Sequence, residues 1–379
     1  MMNRTRSALL QFVPELNKLS KGKELRHGLS AVVQIGDTLW VANDETISLE
    51  RLSRQKVSAD GAHKYGEHKQ FALNDYLRLP VLPPSDPKDI EEVDVEGLDY
   101  ENGYLWLVGS HSLKRSKPDK EDSIERNLKR LARVTKDGNR FLLARIPLVE
   151  KGGTYILEKE VEQDSKKLTA AQLRGNDKGN DLTKALTQDE HLQPFLAIPG
   201  KDNGFDIEGL AVAGDRLFIG LRGPVLRGWA TILEVELKED NDDPFTLELK
   251  KIGPNEQPYR KHFLDLGGLG IRDLCVRGSN LLILAGPSMD LNGPVTIFQW
   301  LGGAQPNGES FVSSSKIQLL GDIPFGQGED KGKDHAEGMT LFSPDGSDAH
   351  SVLVVYDSAS DSRLTETNAL KADIFPLPG

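Results

Sequence analysis

Short apolar runs recur in pairs along the chain, and each pair is joined by a turn. The second run of each pair lies at residues 38–41, 104–107, 216–219, 280–283 and 352–355. Four of the turns have the same length, and the fifth is longer. Because short apolar runs bounded by turn residues are typical of β-strands, the pattern predicts an all-β chain built from a repeated hairpin.

The first run of each pair contains a shared phrase. Glu-Gly precedes a large apolar residue at Glu96, Glu208 and Glu337, and degenerate copies align Arg272 and Ser30 with the three glutamates. Around the circle, four of the five intervals are 64 to 72 residues long, and one is 112. Antiparallel repeats closed by radial repetition are typical of β-propellers. The spacing predicts one propeller domain over residues 1–379 with five blades, and a sixth, diverged blade is the alternative.

Two further segments complete this arrangement. A lone apolar strand at residues 7–13 is predicted to complete the last blade beside residues 369–375, because an unclosed ring would leave open sheet edges. The long interval places about 47 extra residues within 150–200, by comparison with the other blades. A helix capped by Asp181 is predicted at 181–197, so this segment is interpreted as a partly helical insertion without a repeat-type hairpin.

The second blade contains a highly charged segment. Residues 114–126 carry many charges of both signs and predict a solvated loop between the second and third strands. The outer strands of this blade are then predicted at residues 128–135 and 140–148.

Composition excludes several classes of protein. The net charge of −11 argues against nucleic-acid binding, which requires a basic surface. No apolar run is long enough for a membrane span, and the first residues do not resemble a signal peptide, so we expect a cytoplasmic protein with no membrane partner. The single cysteine, Cys275, allows no intramolecular disulfide. Sequence motifs for nucleophilic serine or cysteine catalysis are absent.

All innermost strands should begin at the same end of the propeller channel, which we call the mouth. If the hairpins keep a regular register, Glu208 lies opposite Leu221 and Asp94 lies opposite His111. The bases and acids expected around the mouth beside the repeated Glu and Arg272 are Asp44, Asp94, His111, Asp206, Arg222, His335 and Asp357.

Converging carboxylates at the mouth suggest a metal site. Glu96, Glu208 and Glu337 would repel one another unless one of them took up a proton or a cation bound between them. With Asp206 they form an all-oxygen set, which suits calcium or magnesium. The alternative is that each Glu accepts backbone N–H groups of the next blade as a structural latch, with the glycine allowing close approach.

Basic and histidine side chains extend this hypothesis. Lys201, Arg222, Arg227 and Arg272 are candidates to hold a small anionic molecule, and the alternative is ordinary surface charge. Asp44 and Asp357 are predicted to contact the same ligand. The two histidines beside the repeated phrases are candidate general acids or bases near neutral pH, with a structural role as the alternative. They are His111 and His335.

The chain resembles a bacterial family catalogued only as a domain of unknown function. The matching stretches are residues 95–98, 104–114, 199–229, 260–291 and 334–339. More distantly, the Asp-x-Glu-Gly-Leu phrase looks like that of phytase-like esterase propellers, which implies a propeller and ester hydrolysis at the channel mouth. We therefore predict a metal-dependent hydrolase of a phosphate or carboxylic ester. The alternative is a non-enzymatic scaffold that binds a ligand or a protein partner.

Overall fold

The computed structural model describes residue 2 and residues 6–55, 63–83, 91–325, 333–343, 349–365 and 368–378. In these ranges the strands form five antiparallel blades of four strands each. The innermost strand of each blade packs against the innermost strands of both neighbours, including the fifth against the first. This closed radial arrangement is a five-bladed β-propeller, so the predicted fold class and blade number are confirmed.

Each blade is numbered in chain order, and its strands are given from the channel outward. Blade 1 contains Leu29–Ile35, Thr38–Asn43, Ser48–Arg54 and His63–Ala72. Blade 2 contains Val95–Glu101, Tyr104–Gly109, Leu143–Lys151 and Ala171–Leu173. Blade 3 contains Asp206–Ala213, Arg216–Gly223, Trp229–Glu239 and Arg260–Asp265. Blade 4 contains Gly270–Arg277, Asn280–Gly286, Val295–Trp300 and Ile317–Ile323. Blade 5 contains His335–Phe342, Ser351–Asp357, Ala369–Pro376 and Arg6–Gln11.

The first strand of the chain closes the ring. Arg6–Gln11 pairs antiparallel with Ala369–Pro376, with Ser7 opposite Asp373 and Gln11 opposite Ala369. The same strand also pairs in parallel with the outer strand of blade 1. The predicted closure of the last blade is therefore confirmed, and both of its flanks are hydrogen-bonded rather than left as open edges.

Buried apolar side chains of the described ranges form five clusters, one between each pair of adjacent blades. Between blades 5 and 1, for example, Leu10, Leu29 and Leu353 are fully buried. Each blade thus buries both faces against its neighbours, because the alternating side chains of a strand point to opposite faces. The core is distributed around the ring, and the channel at its centre is left for polar residues.

In every blade the hairpin of the two innermost strands contains a β-bulge at the same point. The unpaired residues, which we call the bulge positions, are Ser30, Glu96, Glu208, Arg272 and Glu337. A bulge inserts one extra residue and redirects its side chain. The repeated phrase therefore encodes a bulge, which the alternating pattern alone did not predict.

The bulge also changes the strand register. In blade 3, Ala213 lies opposite Arg216 as predicted, but beyond the bulge Leu221 lies opposite Ile207. The predicted pair of Glu208 with Leu221 is wrong, and so is the pair of Asp94 with His111 in blade 2, where Val95 lies opposite Gly109. Both predictions assumed a regular period of two, which fails where two residues face one.

The residue after each bulge position lies against the next blade. A Cβ added to Gly97 would lie 2.6 Å from the Cβ of Leu210, and one added to Gly338 would lie 3.0 Å from the Cα of Ala31. The glycine of the phrase is thus required where neighbouring innermost strands approach most closely.

Residues 150–200 are more regular than predicted. They contain a hairpin of Glu160–Gln163 with Lys166–Thr169, and Ala171–Leu173 is the fourth strand of blade 2. The helix predicted over 181–197 is an α-helix only over Asp181–Leu186, and its N-cap is Asn180 rather than Asp181.

The charged segment of blade 2 is also different from its prediction. Ile124–Ala132 is an α-helix rather than part of a loop and an outer strand, and the third strand of the blade is Leu143–Lys151. We call Ile124–Ala132 the rim helix.

The remaining short elements among the described residues are the α-helix Pro14–Asn17, the 3-10 helices Ser20–Gly22, Leu25–His27, Leu73–Asp75, Gly138–Phe141, Gln193–Phe195, Pro254–Glu256, Ser314–Lys316 and Asp361–Arg363, and the strands Lys114–Arg115, Val134–Thr135, Thr154–Leu157, Gly175–Asn176, Gly179–Asn180, Thr246–Leu249, Ser310–Val312 and Leu364–Thr365. None of the described helices has the length and apolar character that crossing a membrane requires.

Candidate functional site

Three bulge positions meet across the mouth of the channel. The guanidinium of Arg272 in blade 4 lies between two carboxylates, with Nη1 3.0 Å from Glu208 Oε2 and 2.8 Å from Glu337 Oε1. Arg222 Nη1 donates a second hydrogen bond to Glu208, and it lies 3.8 Å from Asp206 Oδ2. Blades 3, 4 and 5 are therefore joined at the mouth by a network of buried charges.

The charge of Glu208 is fully compensated. Burial by itself would raise its pKa, but Arg222 and Arg272 hold the pKa of Glu208 below its usual value. Both guanidiniums also donate to backbone carbonyl groups, from Arg222 Nε to Ser288 at 3.0 Å and from Arg272 Nη2 to Pro287 at 3.2 Å. In this arrangement Glu208 is the counterion of two arginines, and both arginines are engaged within the protein.

A second arginine clamp lies on blade 2, and the sequence did not reveal it. Arg140 Nη2 lies 2.6 Å from Glu92 Oε1, and Arg140 Nη1 lies 2.7 Å from Asp94 Oδ2. Burial raises the pKa of Asp94 even though Arg140 acts in the opposite direction. Glu92 lies two residues before Asp94 in the sequence. No local sequence pattern connects either residue to Arg140, which lies in the distant 3-10 helix Gly138–Phe141.

Other carboxyl groups at the mouth lack this degree of compensation. Burial, together with Asp94, Glu208 and Glu337, raises the pKa of Glu96 well above its usual value. Burial and the Asp357 carboxylate do the same for Asp44. Burial and Glu208 raise the pKa of Asp206 to about 7, with Arg222 opposing them. Burial and Asp357 raise the pKa of Glu337 to about 8, against the effect of Arg272. The mouth therefore has more carboxyl groups than paired cations, and a bound cation would relieve their mutual repulsion.

Three of the predicted residues offer metal-ligand atoms at one point. Ligand atoms of His335, Glu337 and Asp357 all lie within 4.8 Å of one another, and all three side chains are partly exposed. Asp44 borders this group, because its Oδ1 and that of Asp357 lie 3.1 and 3.4 Å from the position of a Cβ on Gly28. One imidazole and several carboxylates form a donor set that fits a divalent cation.

Three other predicted residues occupy different environments. Lys201 is exposed. Desolvation and the Arg222 guanidinium act to lower the pKa of Lys201, but the carboxylates of the mouth outweigh them and raise this pKa above its usual value. Arg227 is exposed on a turn at positive φ, and among the ion pairs of the described residues it takes part in none at the mouth. His111 is buried: its Nδ1 lies 2.7 Å from the Gly109 carbonyl oxygen, and its Nε2 lies 2.7 Å from Asn180 Nδ2. Burial lowers the pKa of His111 to about 4, so its ring is neutral at pH 7.

The inter-blade latch suggested for the glutamates is made by other residues. Asp99 Oδ2 accepts the N–H of Val212 in blade 3 at 2.6 Å, and Asp273 Oδ2 accepts the N–H of Met339 in blade 5 at 2.6 Å. Ser30, the bulge position of blade 1, donates its hydroxyl to the Val95 carbonyl oxygen at 2.6 Å. Asp273 replaces the glycine of the phrase, and this departure was the one sequence signal that marked a latch residue.

The chain was compared with known proteins. A family model described as "Protein of unknown function (DUF3616)" matches residues 28–373. No curated protein matches the chain. Similar solved structures include the Myxococcus xanthus glutaminyl cyclase, at 8% identity and a TM-score of 0.37 over 99% of this chain and 100% of that chain. The PQQ-bound aldose sugar dehydrogenase of Streptomyces coelicolor is 10% identical, with a TM-score of 0.36 over 99% of each chain. A putative 6-phosphogluconolactonase of Bacteroides uniformis is 12% identical, with a TM-score of 0.34 over 98% of this chain and 85% of that chain. At TM-scores this low, none of these similarities supports an inference about this chain.

Proposed function

Because the chain belongs to the DUF3616 family of proteins of unknown function, we propose a function from the geometry of the mouth alone: a divalent-cation-dependent hydrolase of a small anionic ester. The observation that carries the proposal is the grouping of His335, Glu337 and Asp357, whose ligand atoms lie within 4.8 Å of one another beside further carboxyl groups of raised pKa.

In this proposal the cation is held by His335, Glu337 and Asp357, and Asp44 completes the set. Glu208 is not a ligand, because its two oxygens accept hydrogen bonds from Arg222 and Arg272. An imidazole nitrogen in the donor set extends the candidate ions from calcium and magnesium to manganese and zinc. When bound, such an ion would act as a Lewis acid on the ester and activate water.

The surrounding residues support binding and proton transfer. Lys201 is exposed and its pKa is raised by the mouth carboxylates, so we propose that it binds the anionic group of the substrate. Glu96 is buried with a pKa well above its usual value, which suits a group that retains a proton for a leaving oxygen. Arg222 and Arg272 serve to keep Glu208 ionised and to hold blades 3, 4 and 5 in register at the mouth.

The test begins with the metal. Protein stripped with chelator is titrated with manganese, zinc, calcium or magnesium while its melting temperature is followed. A cation that binds the folded state should raise the free energy of unfolding by about 2.7 kcal/mol at a hundredfold excess over its dissociation constant. Asp357→Asn should abolish this rise. Asp215→Asn, on an exposed turn at the other end of blade 3, is the matched control and should retain it.

Activity is then measured on p-nitrophenyl phosphate, bis(p-nitrophenyl) phosphate and p-nitrophenyl acetate, with each active cation and with chelator. Turnover that requires the cation and is lost in Asp357→Asn supports the hydrolase. Cation binding with no turnover on any ester would favour the scaffold alternative. A melting temperature indifferent to all four ions would refute the metal site.

A further inference from the structure

The rim helix exposes an entire apolar face to solvent. Ile124, Leu128 and Leu131 are 82%, 64% and 44% exposed. These positions are four and then three residues apart, so their side chains lie on one face of the helix. No residue of the rim helix is buried. Its apolar face therefore contributes no packing to the propeller.

Local interactions hold the rim helix in place instead. The Ser123 side chain caps it by accepting the N–H of Arg126. A short ladder between Lys114–Arg115 and Val134–Thr135 closes its base. A helix of this length is only marginally stable in isolation. The ladder and the cap therefore stabilise it and keep its three apolar residues together on one exposed face, which we call the stripe.

The segment that carries the rim helix is basic in an acidic protein. Residues 114–136 contain nine Lys and Arg and four Asp and Glu, whereas the chain as a whole has a net charge of −11. The three cations of the helix are ion-paired, Arg126 and Arg130 with Asp122 and Lys129 with Glu125. The excess positive charge of the segment therefore lies beside the helix, at the exposed residues Lys117, Lys120 and Arg133.

A second apolar element projects from the same end of the propeller. Met289 and Leu291, in the loop after the second strand of blade 4, are 41% and 58% exposed. The loop is linked to the base of the rim helix, because Arg115 Nε lies 2.7 Å from Asp202 Oδ2, and Asp202 forms a backbone bridge with Met289. Both elements thus border the mouth face.

We propose, against the sequence-based expectation of no membrane partner, that the rim helix docks the protein on an anionic lipid surface. An apolar stripe flanked by excess Lys and Arg is complementary to a headgroup layer of negative charge and to the acyl region beneath it. A lipid surface also accommodates two separate apolar projections on one face, whereas a protein groove would fit a single helix. This inference does not depend on a bound metal or on hydrolysis.

Cosedimentation with vesicles tests the proposal. The vesicles contain phosphatidylcholine alone or phosphatidylcholine with phosphatidylglycerol in a three-to-one ratio. The wild-type protein should sediment with the anionic vesicles and much less with the neutral ones. Leu128→Asp should weaken binding about tenfold or more, because it removes one large apolar side chain and adds a negative charge. Leu319→Asp, at a 63% exposed position on the outer strand of blade 4, is the matched control and should bind like the wild type.

Leu128→Asp should keep the wild-type melting temperature, because Leu128 is 64% exposed and is not part of the buried core. The proposal is overturned if the wild type binds neither vesicle, if it binds both equally, or if Leu128→Asp binds as well as Leu319→Asp. A dimer in analytical ultracentrifugation that Leu128→Asp dissociates would assign the stripe to a second copy of the chain and would also overturn it.

Discussion

The buried ion pairs around Glu208 make a quantitative prediction for Glu208→Gln. The substitution keeps the size of the side chain but removes the counterion shared by Arg222 and Arg272, which are 5% and 6% exposed. Removing one partner of a buried ion pair typically costs about 3–5 kcal/mol, because it leaves an uncompensated charge. Arg272 retains Glu337 at 2.8 Å, and Arg222 retains Asp206 at 3.8 Å. We therefore expect a loss at the lower end of that range, about 3 kcal/mol in the free energy of unfolding.

The assay is urea unfolding followed by both tryptophan fluorescence and circular dichroism, whose coincidence checks two-state behaviour. Glu125→Gln is the matched control: it removes the acid of an exposed pair with Lys129 at 2.7 Å and should cost no more than about 0.5 kcal/mol. Adding Arg222→Met to Glu208→Gln should recover part of the loss, because Arg222 would otherwise be left with Asp206 at 3.8 Å as its acidic partner, whereas Arg272 keeps Glu337. A loss for Glu208→Gln no larger than that of Glu125→Gln would refute the reasoning.

The same variant separates the two hypotheses for the metal. The sequence-based hypothesis makes Glu208 a ligand, so Glu208→Gln should abolish any rise in melting temperature caused by the cation. The arrangement of Glu208 between two arginines predicts instead that the variant melts at a lower temperature but retains the rise.

Three further predictions concern the frame of the propeller. Gly97→Ala should lower the free energy of unfolding by about 1–3 kcal/mol, and by more than Gly209→Ala does. A Cβ at Gly97 would lie 2.6 Å from the next blade, whereas a Cβ at Gly209 would lie no closer than 3.1 Å. Urea unfolding of both variants measures the difference. Burial lowers the pKa of His111 from 6.5 to about 4, so between these pH values the unfolded state binds more protons than the folded state. The free energy of unfolding should therefore decrease by at most about 3 kcal/mol as the pH falls from 6.5 to 4. His111→Asn, which tolerates the positive φ, should remove that part of the pH dependence of the melting temperature, and an unchanged profile would contradict the cause. Leu10→Ala should lower the free energy of unfolding by about 2–5 kcal/mol, because Leu10 is fully buried in the closing strand. Leu9→Ala, on the opposite face of the same strand, should lower it by under about 1 kcal/mol. Equal shifts in the melting temperatures of the two variants would exclude the proposed packing.

The spacing of the repeated phrase was sufficient to predict the ring, its five blades and the strand that closes it. These features follow from chain length per blade and from the need to pair sheet edges, and both are visible in a sequence. The bulge could not be predicted, because the order of apolar and polar residues in the sequence is the same whether Glu208 pairs across the hairpin or is left unpaired. As a consequence the predicted partners of Glu208 and Asp94 were wrong, although the convergence of Glu208, Arg272 and Glu337 at the mouth is what the structure has.

Charged residues were the least predictable part of the site. Arg140 reaches Glu92 and Asp94 from a turn far along the chain, so no spacing rule connects them. The rim helix was interpreted as part of a loop and part of an outer strand, because its apolar residues are separated by charges and its face is not buried by the fold. Where side chains are arranged by tertiary contacts rather than by local periodicity, the sequence alone predicts which residue types are available but not which ones pair.

Closure of the ring by Arg6–Gln11 also has a consequence for the order of folding. Arg6 pairs with Ile374, so the ring closes between residues 368 positions apart in the chain. Contacts of such long separation form slowly, because the chain between them must first be ordered. During synthesis blades 1 to 4 can assemble before Ala369–Pro376, the antiparallel partner of the first strand, has been made. A product that stops short within blade 5 therefore leaves the first strand paired with blade 1 alone and exposes an open sheet edge, a feature on which aggregation and cellular quality control act.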